Sequence, residues 1–162
     1  MFAEMKVTLL TVGKTDVPWV REGLALYASR LSHYLKFSLE EIPELKGVSA
    51  LDEAQIKERE GKLILKAAGD ARLVLLDERG KEFRSMEFAA WLQDALGRGG
   101  KDIVFVVGGA YGFSKEVYDR ASALISLSRM TFSHQMVRVL FTEQLYRACT
   151  ILKGEPDRKS VV

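Results

Sequence analysis

The chain of 162 residues holds one cysteine, two histidines and three prolines. A single cysteine, Cys149, cannot close an internal disulfide, which points to a reducing compartment. His33, His134 and Cys149 stand far apart and show none of the short spacings of a metal site, so no metal is expected. No apolar run approaches the ~18 residues of a membrane span. The opening MFAEMKVTLL lacks the layout of a signal peptide. These absences predict a soluble, cytoplasmic protein without a membrane partner. Also missing are the P-loop run G-x-x-x-x-G-K-[ST] and the nucleophile elbow G-x-S-x-G.

What is present is an ordinary globular composition, 48% hydrophobic and 28% charged with a formal charge of +2. This length predicts one domain, residues 1–162, with a core of its own. Met5 to Val12 reads as a buried strand. Val20, Leu24, Tyr27, Leu31 and Leu35 then recur every three or four residues, as on one face of a helix. Strands are predicted again at 37–42, 72–76, 102–107 and 125–130. Between them lie helices predicted at 51–68, from an N-cap at Ser85 to about 96, after an N-cap at Ser114, and at 134–153. Strands alternating with helices predict a three-layer α/β sandwich with a mostly parallel sheet. Ligands of such sheets bind at the carboxyl ends of the strands.

VFVVGGAYGFS (104–114) places three glycines between a strand and a helix. The spacing G-G-A-Y-G after the fourth strand does not match the dinucleotide fingerprint, which belongs to the first. Two readings stand: a cofactor loop, or a tight turn needing positive φ. Charge is uneven, with an excess of three positive residues from Arg129 onward, compatible with a polyanionic partner or a solvated basic face. Asp77 and Glu78 after the third strand form either a catalytic pair or a solvated turn.

Three strings carry more than composition: LVLLDERGKEFRS (73–85), VFVVGGAYGF (104–113) and ISLSRMTFSHQMVRVLFTEQLYRA (125–148). Together they closely resemble the RlmH (YbeA-like) family of large-subunit ribosomal RNA methyltransferases, in the SPOUT superfamily. MKVTLLTVGK and YASRL (27–31) also fit, so the resemblance spans nearly the whole chain. It implies a C-terminal trefoil knot over approximately residues 72–156 and a homodimer. It also implies S-adenosyl-L-methionine as donor and N3 of a pseudouridine in helix 69 of 23S rRNA, on the assembled 70S ribosome, as acceptor. By position, the implied cofactor-binding residues are Leu76, Gly108, Leu127, Ser128, Arg129, Met130, Thr131 and Phe132.

Methyl transfer to an imide nitrogen is an in-line displacement that must also remove the N3 proton, so positioning and a base both matter. His134 and Arg138 stand four apart and are the candidate catalytic residues, as neighbours on one helix face. His134 suits a hydrogen-bond or base role, or caps and packs. Arg138 and Arg147 are the candidate RNA contacts, joined by Arg129 in a basic surface. The chain departs from the family in two places. Ser133 replaces a proline, and DRKSVV (157–162) replaces a tail bearing Tyr and His. The altered tail predicts retained cofactor binding with weakened transfer. Competing readings are a superfamily methyltransferase acting on another RNA such as tRNA, and a cofactor-binding ribosome-associated factor with impaired catalysis. A flavodoxin-like nucleotide binder fits less well, since GKTDVP (13–18) offers one glycine where its phosphate loop should lie.

Overall fold

The computed structural model describes residues 4–97 and 100–155. Its elements are β1 (Lys6–Val12), α1 (Pro18–Leu31), β2 (Lys36–Ile42), α2 (Glu53–Ala68), β3 (Arg72–Glu82), α3 (Ser85–Gly97), β4 (Ile103–Val107), α4 (Lys115–Arg120), β5 (Ala123–Ser126) and α5 (Met136–Leu152). The strands pair in the order β2-β1-β4-β3-β5, every pair parallel. All five residues of β4 are buried, as expected for a central parallel strand covered on both faces.

The two-residue period of the strands sorts the core into two layers. Val7, Leu9, Val74, Ile103, Phe105 and Val107 face a layer built by α1, α3 and α5. Leu10, Leu73, Leu75, Val104 and Val106 face α2 and α4. Phe105 of β4 meets Phe141 of α5 with ring centroids 4.7 Å apart, which seats the last helix on the sheet. The three-layer α/β sandwich of the sequence reading is therefore the observed architecture.

Helix ends follow local chemistry. Asp52 and Gln55 form a reciprocal capping box at the start of α2, with Gln55 N–H donating to Asp52 Oδ1 at 2.8 Å and Asp52 N–H to Gln55 Oε1 at 3.0 Å. Ser114 caps α4 as expected, its hydroxyl accepting from Val117 N–H. Gly154, at φ +74°, stops α5. Its N–H donates to Ile151 O and that of Glu155 to Thr150 O, a Schellman closure.

Several boundaries differ from the sequence reading. Ser85 is the first helical residue of α3, not its cap; the turn before it is closed by Arg84 N–H donating to Glu87 Oε1 at 2.8 Å. Leu35 lies beyond α1 and is buried in the turn that follows. The fifth strand spans 123–126 rather than 125–130, because β5 pairs only with β3, which ends at Glu82 opposite Ser126. The last helix starts at Met136, so His134 belongs to the turn before it. The departures expected at 157–162 lie outside the described residues.

The third strand continues through DERG by means of a bulge. Leu76 and Lys81 both stand opposite Ile125, so residues 77–80 loop out of the ladder. Gly80 makes the return possible: a Cβ there would lie 2.5 Å from Ile125 N and 2.6 Å from Leu124 C. Gly80→Ala is expected to cost about 1–3 kcal/mol through overpacking against backbone. At Gly97 a Cβ meets nothing within 4 Å, so Gly97→Ala should cost nothing. Urea unfolding of both variants measures the difference.

Candidate functional site

A cavity of about 1070 Å³ opens at the carboxyl ends of β3, β4 and β5. Three segments converge on it: the bulge after β3, the glycine loop after β4, and the run after β5. Leu76, Gly108 and the whole run Leu127–Phe132 line the cavity, as does His134. All eight residues assigned to the cofactor by position are thus brought together. Arg138 and Arg147 are not in its lining.

The bulge is braced from within. Asp77, its side chain only 9% exposed, accepts from Arg79 N–H at 2.8 Å and from the Tyr118 hydroxyl. The Arg79 guanidinium lies 4.5 Å from the centroid of the Tyr118 ring. Burial, followed by the Asp77 hydrogen bond, pushes the Tyr118 phenol above its ordinary range, so it remains a donor. Asp77 is therefore not a solvated turn residue; its carboxylate braces the cavity wall. The role of Tyr118 carried no signal in the sequence, and the bulge was missed there, although a glycine at 80 before KEF is the kind of signal that finds one.

The glycine loop is closed on itself. Gly112 has φ +82° and its N–H donates to Gly109 O at 3.1 Å. A Cβ on Gly108 would lie 3.0 Å from the Phe113 ring, and one on Gly109 would lie 2.6 Å from Glu60 Oε1. The glycines thus answer to close approach and to one positive φ. The Gly112 amide and the α4 cap are both satisfied internally. Behind the loop, burial and the nearby Glu44 charge raise the Glu60 carboxyl above the usual range.

The segment SHQMVR joins this loop to the loop after β1. The exposed His134 places Nδ1 2.9 Å from Gly108 O. A carbonyl only accepts, so Nδ1 carries the hydrogen, and Nε2 of the neutral ring is an acceptor. Ser133, in place of the family proline, uses its hydroxyl to accept from Met136 N–H at 3.0 Å and so starts α5.

Arg138 is the correction. It is 1% exposed, and its guanidinium points into the protein. Nε donates to His134 O at 3.0 Å, one terminal nitrogen to Gly13 O at 3.1 Å and Thr15 Oγ1 at 2.8 Å, and the other to Val12 O at 3.2 Å. Glu41 lies 3.6 Å away and Thr15 N–H donates to it. Burial draws the Arg138 pKa down while Glu41, Asp16 and Glu44 oppose that; the group stays charged. A guanidinium so enclosed meets neither RNA nor a reacting atom. The i,i+4 spacing led elsewhere because His134 precedes the helix and only Arg138 faces inward.

The other candidates fall outside the cavity or at its rim. Arg147, half-buried further along α5, pairs with Glu143 at 3.1 Å. Arg129 is 90% exposed at the cavity edge, where its Nε donates to Glu82 at 3.0 Å. Cys149 is buried and its thiol is pushed up to about 12, which leaves it unreactive near neutrality. Among the described residues no three His, Cys, Asp or Glu side chains converge as metal ligands, and no helix is long and apolar enough to cross a membrane.

The Arg138 geometry makes a direct prediction. Arg138→Met removes the donor to the Val12, Gly13 and His134 carbonyls, of which Gly13 O keeps the Thr11 hydroxyl at 3.2 Å, and should cost about 3–5 kcal/mol in urea unfolding. Arg147→Met removes a partly exposed pair and should cost under about 1 kcal/mol.

Comparison with known proteins identifies a family. The family model described as "Predicted SPOUT methyltransferase" matches residues 5–156. "Ribosomal RNA large subunit methyltransferase H" of Parabacteroides distasonis is 56% identical over 154 residues, covering 94% of this chain and 98% of that protein. The protein of the same name from Christiangramia forsetii is 53% identical over 153 residues, with the same coverage. Among solved structures, a "Probable Methyltransferase" from Bordetella pertussis aligns with a TM-score of 0.56 at 12% identity, covering 90% of this chain and 96% of that one, a likeness of fold. The chain belongs to the SPOUT methyltransferases, in the family of the ribosomal RNA large subunit methyltransferase H proteins.

Proposed function

We propose that the chain is an S-adenosylmethionine-dependent rRNA methyltransferase. Its acceptor on this reading is N3 of a pseudouridine in helix 69 of bacterial 23S rRNA, on the assembled 70S ribosome. The observation that carries the reading is the convergence of Leu76, Gly108, the run Leu127–Phe132 and His134 on one cavity at the carboxyl end of a parallel sheet. A cytoplasmic homodimer with a trefoil knot over approximately residues 72–156 belongs to the same reading, as does a single domain over the whole chain.

The residues present fit the donor. The cavity has the size of a site for a ligand of several hundred daltons. Leu76, Leu127 and Phe132 offer apolar walls, and the glycine loop offers backbone without side chains in the way. S-adenosylmethionine carries no phosphate for that loop to hold. When bound, the donor supplies a methyl group on a sulfonium.

The chain's own residues then do three things. The braced bulge and the closed glycine loop keep the cavity walls fixed, so that orientation is set before the reaction. His134 Nε2, its tautomer set by Gly108 O, is the atom that takes the N3 proton. Arg129 at the rim, and Arg147 along α5, supply positive charge for RNA phosphates, a contribution that weakens with salt.

Transfer of labelled methyl from S-adenosylmethionine is expected on 70S ribosomes that lack the modification, and not on free rRNA or separated subunits. His134→Asn should lower kcat about 10²–10⁴-fold with the cofactor Kd unchanged. Cofactor binding without transfer to any RNA would replace this reading with a non-catalytic ribosome-associated factor, and transfer to tRNA would replace the substrate.

A further inference from the structure

Gln135 sits at the N-cap position of α5 but makes no side-chain cap. That role falls to Ser133, two residues earlier. The Gln135 amide reaches instead to the loop after β1, about 120 residues away in the chain. Oε1 accepts from Asp16 N–H at 3.0 Å and from Val17 N–H at 3.4 Å, while Nε2 donates to Lys14 O at 3.0 Å. Three consecutive main-chain segments of that loop are therefore gripped by one amide, with both its ends in use.

The place of this grip matters. The helices after β1 and β4 leave on opposite faces of the sheet, so a crevice opens between these neighbouring strands. The turn 133–135 spans that crevice, with His134 on Gly108 at one side and Gln135 on Lys14 and Asp16 at the other. His134 is exposed and its ring rests on Gly108 O through Nδ1, so the ring's position depends on where its backbone is held.

We propose that Gln135 is a positioning residue for methyl transfer. By fastening the turn to the β1 loop, its amide keeps the His134 imidazole over the acceptor side of the cavity. The inference rests on the methyltransferase reading and on His134 acting as the base. It differs from a structural role in one measurable way, namely that its effect on turnover passes through His134.

The test is a double-mutant cycle on the full chain, with labelled methyl transfer to 70S ribosomes as readout. Gln135→Met keeps the length of the side chain and removes its hydrogen bonds. It should lower kcat roughly 10- to 100-fold, the scale of a small misplacement of a catalytic group. Melting temperature and S-adenosylmethionine Kd, taken by calorimetry, should stay near wild type, so that a folding defect is read separately. In the His134→Asn background the same substitution should change kcat less than about twofold, because the group it positions is gone. Gln135→Glu, which keeps the acceptor towards Asp16 N–H and loses the donor to Lys14 O, should recover part of the rate. A wild-type kcat in Gln135→Met, or an equal loss in both backgrounds, overturns the inference while leaving the enzyme reading in place. Wild-type protein that transfers no methyl overturns both.

Discussion

A buried guanidinium holds this structure together at its functional end. Arg138 lies at the start of α5 and binds the last carbonyl of β1, the carbonyl of Gly13 and the hydroxyl of Thr15, with Glu41 of β2 alongside. A charge this deep is costly unless every donor is engaged, and removing its partners or the group itself is costlier still. The consequence is geometric. Helix α5 enters the sheet at one register only, and the turn before it is fixed over the junction of β1 and β4. The His134 carbonyl is itself one of the four acceptors, so the candidate base is tied to the same centre.

From that anchor the cavity follows. With α5 seated by Phe141 on Phe105, the run 127–132 must pass from the edge strand β5 across the strand ends to reach it. The bulge after Leu76 and the glycine loop after Val107 complete the remaining walls. Both depend on missing side chains. Gly80 lets β3 rejoin β5, and Gly109 leaves room for Glu60. Rigidity here comes from internal hydrogen bonds of the walls, which suits a reaction governed by alignment.

Much of the fold was legible in the sequence because both strand faces are apolar and each helix carries a local start or stop. Ser114 and Gly154 did in the structure what their residue types predict. The strand predicted through Met130 failed because alternation reports a half-buried surface, not a partner, and β3 has none beyond Glu82. The assignment of Leu127 to Phe132 to the cofactor rests on family resemblance; no spacing rule singles out that run. Arg138 was misread for a simpler reason. Residues four apart share a helix face only if both are in the helix, and sequence does not say which side of α5 faces the sheet. The Asp77–Tyr118 brace joins residues 41 apart, and no local pattern marks such a pair.

The central claim is that one cavity, walled by three segments, receives the methyl donor. Hydrogen exchange read by mass spectrometry, with and without S-adenosylmethionine, tests it segment by segment. The account predicts slower exchange in 76–79, 108–112 and 127–132 on addition of the donor. It predicts no change around Arg72, Lys101 and Arg120, at the opposite end of the sheet. Protection confined to that opposite end, or none in the three wall segments at saturating donor, would contradict it.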